Sequence, residues 1–163
     1  MIVYLVRHGE TAAGGGTDPP LSDRGREAAL SAGRLICAGG GLSRIFVSPL
    51  KRTSEHGALI ASSAGGAVIV DSSLEPEGDG SAFLQSVMGC AGNERVAAVT
   101  HLPVLKLILS HLIGQGCSIG VHFGRGGIAC VELGGMPAEP AGVLLYSLSP
   151  ELLARCSAAD WEK

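Results

Sequence analysis

The sequence lacks an excess of charge of either sign: twelve Lys and Arg against fifteen Asp and Glu leave a formal charge of −3 over 163 residues. So weak a net field gathers neither nucleic acid nor an anionic membrane, so no nucleic-acid and no membrane partner is expected and any anion site must be local. A long hydrophobic run is also missing. The most apolar stretch, Leu102 to Ile113, is broken by Lys106, Ser110 and His111 and falls short of the ~20 residues that span a bilayer, so it reads as a core helix. Met1 is not followed by a basic segment, an apolar core and a small-residue cleavage site, and the expectation is a cytoplasmic protein. Cysteine occurs without a pairing pattern. Cys37, Cys90, Cys117, Cys130 and Cys156 are odd in number, far apart and without a CxxC, which fits neither a zinc site nor a disulfide framework. They read as free thiols acting as small core hydrophobes. There is no internal repeat, and the glycine clusters at 14 to 16, 39 to 41 and 65 to 66 read as loops rather than linkers. The length predicts one domain over residues 1–163.

What is present is alternation. Strand-like apolar runs at Ile2 to Val6, Arg44 to Val47, Ala67 to Val70, Arg95 to Thr100, Gly127 to Leu133 and Val143 to Leu148 are separated by helical patterns. Leu21, Gly25, Ala28, Ala29, Ala32, Leu35 and Ile36 recur at three- and four-residue steps and line one face of a helix that Gly39-Gly40-Gly41 stops. A second helix runs from Pro49 to about Ala64, with Leu50, Thr53, Gly57, Ala58 and Ala61 as its predicted inner stripe. Phe83, Leu84, Val87 and Met88 mark a short third helix, and Pro103 opens a fourth, where a missing N–H costs nothing. This order predicts an α/β sandwich around a mainly parallel sheet.

Chemistry-bearing residues fall at the ends of three of these strands. Arg7 and His8 follow the first in IVYLVRHGET, Ser48 and Arg52 follow the second in VSPLKRT, and His101 follows the fourth in VTHLPVL. In an open α/β sheet, ligands bind outside the carboxyl ends of the strands. Two arginines and two histidines therefore converge on one edge. Two guanidinium forks can hold the nonbridging oxygens of a phosphoryl group and stabilise the charge of its transition state, with no cofactor and no metal required. A neutral His8 imidazole can attack phosphorus in line when its other ring nitrogen donates to a fixed acceptor. His101 would be a second phosphate clamp, helped by the helix N-terminus that follows it.

On these residues the chain resembles the histidine phosphatase superfamily, the branch that includes phosphoglycerate-mutase-like enzymes. The RHG triplet is Arg7-His8-Gly9, the SPxxR element is Ser48-Pro49-Leu50-Lys51-Arg52, and the second histidine is His101. Asp18-Pro19-Pro20-Leu21-Ser22 and Gly25 also look like the family pattern. The resemblance implies a three-layer α/β/α sandwich in which one strand, Gly127 to Leu133, runs against the others. It implies that His8 accepts the phosphoryl group and that Arg7, Arg52 and His101 complete the pocket; Ser48 and Glu10 are further candidates for binding the substrate.

The same resemblance bears on the substrate. Many relatives carry an acidic residue two positions after a leucine in the segment after the third strand, where it protonates an alkoxide leaving group. Here that segment is Leu74-Glu75-Pro76-Glu77-Gly78-Asp79, and the position is held by Pro76, which has no proton to give. Phosphohistidine has a weak P–N bond and a leaving imidazole that can already carry its proton, so the missing acid favours that substrate. Glu75 or Glu77 remains a possible acid from a shifted loop. Residues 71 to 94 have room for one short helix and loops and for no large cap. The expected function is that of a small, SixA-type phosphohistidine phosphatase acting on a histidine-phosphotransfer or phosphocarrier protein and releasing inorganic phosphate. The alternatives are a small-molecule phosphomonoesterase of the same superfamily and a noncatalytic phosphate- or phosphoprotein-binding module. His56 stands where relatives often have threonine, one turn after Arg52; it is expected as a partly exposed helical histidine, with a group acting near Arg52 as the alternative. Glu10 is expected to fix an arginine or a nearby N–H. His111 and His122 are read as structural or surface residues.

Overall fold

The computed structural model describes residues 1–88, 92–114, 117, 119–134 and 142–158, so Cys90 lies outside the described residues. Its elements run β1 (Ile2–Arg7), α1 (Asp23–Ala38), β2 (Arg44–Val47), α2 (Lys51–Ala64), β3 (Ala67–Val70), a single 3-10 turn (Ser72–Leu74), α3 (Ser81–Met88), β4 (Arg95–Thr100), α4 (Leu102–Ile113), β5 (Ile128–Glu132), β6 (Val143–Leu148) and α5 (Pro150–Ala158). The six strands form one sheet in the order β3-β2-β4-β1-β5-β6. β1, β2, β3 and β4 pair in parallel, and β5 is antiparallel to both β1 and β6, so β5 alone runs against the rest.

The central strands are apolar on both faces because both faces are covered. Val3 and Leu5 of β1, Phe46 of β2 and Val96 and Ala98 of β4 pack with Phe83, Leu84 and Val87 of α3 and Val104, Leu105 and Ile108 of α4. The alternate residues Tyr4, Val6, Ile45, Val47, Ala97 and Val99 pack on the other face with Ala32 and Ile36 of α1, Ile60 and Ala64 of α2 and Leu153 of α5. That makes three layers. Each fully buried Val, Leu or Ile contributes about 1.5–3 kcal/mol of transfer free energy, so the two-sided centre of the sheet is where stability concentrates. β3, at one edge, is exposed along its whole length.

α1 begins where Ser22 caps it, its side chain accepting from the Gly25 N–H at 3.1 Å. α2 has no side-chain cap of its own at Leu50; Asp18, from the loop before α1, supplies one by accepting from the Lys51 N–H at 3.0 Å. Two expectations need correction. Ala58 is exposed, and the buried stripe of α2 is Thr53, His56, Gly57, Ile60 and Ala64. Of the cysteines, Cys130 is buried, Cys156 is partly buried, and Cys37 and Cys117 lie on the surface rather than in the core. Among the described residues, no helix is long and apolar enough to cross a membrane.

Candidate active site

The connection after β1 leaves toward the α1 face and the connection after β4 toward the α4 face, although β1 and β4 are neighbours. Diverging chains open a crevice at that edge, and the residues that follow the two strands line it. In the parallel register Arg7 is opposite Thr100, so His8 and His101 each stand one residue beyond a paired position. The His8 N–H donates to Thr100 O at 3.0 Å, and the two imidazole rings come to a centroid separation of 5.0 Å, tilted by 59°. That is close to the ~4.8 Å between neighbouring strands, so the sheet itself sets the spacing. Ser48, one residue past β2, lies beside them: its N–H donates to Val99 O at 3.3 Å, and its hydroxyl is 3.2 Å from His101 Nε2. Arg52 sits in the first turn of α2, where Asp18 Oδ1 holds its Nη1 at 3.5 Å. The capping carboxylate of α2 thus also aims the arginine.

Arg7 is held by Phe123 O, which accepts from Nη1 at 2.6 Å. His8 is held by Gly9 O, 2.8 Å from Nδ1. A carbonyl can only accept, so Nδ1 carries the ring proton and Nε2 is left with its lone pair. Burial pushes the His8 pKa down to about 4; the bond to Gly9 opposes it, and the charges of Arg52, Arg7 and Arg125 add to the fall. Burial pushes His101 down to about 3, with His8, Arg52 and Arg7 adding to the fall and Asp18 opposing it. Both rings are neutral at pH 7. The pocket charge therefore resides in the guanidinium groups, and His8 is free to act as a nucleophile.

Two residues join this group that the strand-end reading left out or misplaced. His56 is fully buried, against the expectation of partial exposure, and its Nδ1 accepts from the Gly9 N–H at 3.0 Å. Burial and the neighbouring His8 push its pKa down to about 3. Arg125 comes from the loop before β5, and its charge reaches both Arg7 and His8. That loop is pinned to the turn after β1, since the Gly126 N–H is shared between Arg7 O at 3.1 Å and His8 O at 3.0 Å. Gly126 has φ +87, a left-handed conformation that favours glycine, and an added Cβ would come within 2.8 Å of Ala28 Cβ.

The remaining predicted residues are placed less centrally. Glu10 lies away from Arg7: its carboxylate accepts from the Ser22 hydroxyl at 3.4 Å and stands 3.9 Å from the exposed Arg24 guanidinium. It lines a cleft of about 240 Å³ with His122, Gly124, Arg125, Ser149 and Glu151. Thr100 Oγ1 donates to Leu74 O at 2.7 Å, which ties the Leu74 to Asp79 segment to the end of β4. Glu75 follows that anchor and is partly buried, and Glu77 is exposed; among the described residues neither hydrogen-bonds to Arg7, His8, Arg52 or His101. His111 is exposed and bonds to Leu107 O of its own helix at 2.9 Å.

Residues 3–76 match the family model of the histidine phosphatase superfamily (branch 1). Among solved structures, the protein histidine phosphatase SixA complexed with tungstate is 26% identical, with a TM-score of 0.77 over 94% of this chain and 99% of that one. A mutant phosphoserine phosphatase from Entamoeba histolytica in complex with phosphoserine shares the fold at 18% identity, with a TM-score of 0.69 over 92% of this chain and 98% of that one. A mycobacterial glucosyl-3-phosphoglycerate phosphatase shares it at 15% identity, with a TM-score of 0.69 over 89% and 97%. No curated protein matches the chain.

Proposed function

We propose that this chain, similar along nearly all its length to a protein histidine phosphatase, removes the phosphoryl group from phosphohistidine on another protein through a phosphorylated His8. The observation that carries the proposal is the pairing of a neutral His8, its Nδ1 proton tied to Gly9 O, with the His101 ring 5.0 Å away among arginines. Arg7 and Arg52 bind the nonbridging oxygens and balance the charge that spreads over them in the transition state. His8 Nε2 attacks phosphorus as the P–N bond to the substrate imidazole breaks, and that imidazole leaves with the proton it already carries. Water then attacks the phosphoryl group on His8, the enzyme P–N bond breaks, and His8 leaves as a neutral imidazole once the water's proton has been passed on. Inorganic phosphate is the product. His101, with Nε2 beside the Ser48 hydroxyl, clamps a phosphoryl oxygen through the proton on its other nitrogen. The charge compensation comes from the arginines, so the route calls on neither metal nor cofactor.

Pro76, at the position where the superfamily resemblance places a proton donor, supports a phosphoramidate substrate, whose leaving group needs no new proton. A phosphomonoesterase acting on small molecules is the second reading. It is favoured by the anchor from Thr100 to Leu74, which starts Glu75 beside the end of β4. A noncatalytic phosphate- or phosphoprotein-binding module would bind without acquiring a label on His8. Brief exposure to a radiolabelled phosphohistidine protein, followed by alkaline quench and mapping of the labelled peptide, should place the label on His8. Steady-state assays should then prefer that protein over sugar phosphates and be indifferent to Glu75→Gln and Glu77→Gln. Loss of turnover in either carboxamide variant would move the assignment to the esterase, and an unlabelled protein would move it to the binding module.

A further inference from the structure

We propose that His56 is a positioning residue for the nucleophile: by accepting from the Gly9 N–H it sets the catalytic turn so that Gly9 O takes the His8 Nδ1 proton and Nε2 faces phosphorus. The inference rests on His8 being the nucleophile and adds a residue that stands outside the phosphate pocket.

Gly9 is engaged on both sides. Its N–H donates to His56 Nδ1 at 3.0 Å, and its carbonyl lies 2.8 Å from His8 Nδ1. The dihedrals of one residue therefore link the two imidazoles. The turn cannot withdraw from His56, because α1 closes it from behind. A Cβ added to Gly9 would lie 2.7 Å from Gly25 O, and one added to Gly25 would lie 2.2 Å from Glu10 O. The first turn of α1 is one jaw and His56 of α2 is the other.

The bond requires an acceptor at Nδ1, so the proton of His56 resides on Nε2. That nitrogen is buried and has no hydrogen-bond partner among the described residues. An aliphatic side chain would fill the same space without an unmatched polar atom, so filling space alone does not account for an imidazole here. The match to Gly9 does. Burial, and then His8 from the end of β1, disfavour a second proton on His56, so the acceptor persists through the neutral range.

The test begins with the wild-type protein. In ¹⁵N-labelled protein a through-hydrogen-bond coupling should connect the Gly9 amide nitrogen to His56 Nδ1, and His8 should show the Nδ1–H tautomer. His56→Leu removes the acceptor; His56→Gln keeps one. In His56→Leu the His8 tautomers should mix, and the rate of phosphoenzyme formation in a single turnover should fall by about 10²-fold with KM within about twofold, as expected of a misplaced reacting atom. In His56→Gln the tautomer should return, with the rate within about fivefold of wild type. Absence of the coupling in wild type overturns the proposal, as does a His56→Leu protein that keeps both the Nδ1–H tautomer and the wild-type rate. If His56→Leu does not fold, the wild-type coupling and His56→Gln decide. If wild-type protein never becomes phosphorylated, the proposed function fails while the coupling and tautomer still settle the role of His56.

Discussion

On the α2 side of the candidate site the polar groups are buried and held. Ser48, Thr53 and His56 are out of solvent, Thr53 Oγ1 donates to Ser48 O at 2.9 Å, and Asp18 pairs with Arg52 while capping the helix. On the β5 side Arg125 and His122 are exposed, and Arg125 makes no ion pair among the described residues. Under the proposed function the first wall faces what every phosphoryl donor has in common, and its groups are held by one another. The second presents a charge on a long, unrestrained side chain, suited to whatever surrounds the phosphoryl group on a particular substrate. Rigidity goes with the invariant part of the reaction and looseness with the variable part.

Substitutions should separate the two walls, and the largest effect belongs to His8, the proposed nucleophile between them. His8→Ala should lower turnover of a phosphohistidine protein by about 10³-fold or more and abolish labelling; normal turnover would end the covalent route. On the rigid wall, Arg52→Gln should cost about 10²-fold in kcat, because it removes charge that acts mainly in the transition state. On the loose wall, Arg125→Gln should raise KM by about threefold to tenfold for a protein substrate, with kcat nearly unchanged and a weaker dependence on salt. A kcat effect at Arg125 as large as that at Arg52 would erase the distinction.

The rigid wall should also be the acid-sensitive one. His56 and His101 have folded pKa values of about 3, below the ~6.5 of an unfolded histidine. Between those values the unfolded chain binds more protons, so their contribution to stability is complete above pH ~6.5 and is lost as pH falls toward 3. His56→Gln should flatten the fall of Tm over that window, by an amount equivalent to several kcal/mol at its acid end, on the order of 1.4 kcal/mol per pKa unit. An unchanged slope would show that His56 does not carry it. Activity, which needs neutral His8, should hold down to its lower pKa of about 4. Smallest of all, Arg24→Gln removes exposed pairs to Glu10 and Glu151 and should change stability by less than about 0.5 kcal/mol in a denaturant titration.

Much of the frame was legible because its elements have a clean period. Val143 to Leu148 is a strand to the residue, and Arg44 to Val47, Ala67 to Val70 and Arg95 to Thr100 likewise. The strand-end rule also brought His8, Ser48 and His101 together. It missed Arg125 for a geometric reason: β5 runs in reverse, so its beginning, Ile128 opposite Val6, lies at the edge where the parallel strands finish. His56 was hidden by its polarity. Thr53, His56, Gly57, Ile60 and Ala64 follow a regular helical stripe, but a reading that looks for small and apolar residues skips the large polar second one and settles on Ala58. α5 gave no separate sequence signal; its buried Leu153 packs in the cluster that covers β6 and β1.

The reversal of β5 has an architectural consequence. The connection leading into it touches the site strands at its anchors, Phe123 O to Arg7 and the Gly126 N–H to Arg7 O and His8 O, so its charge at Arg125 can be changed while β1, β2 and β4 stay in register with one another. A designer wishing to redirect this scaffold toward a bulkier or smaller phosphorylated compound would begin at Arg125 and keep the anchors on either side of it.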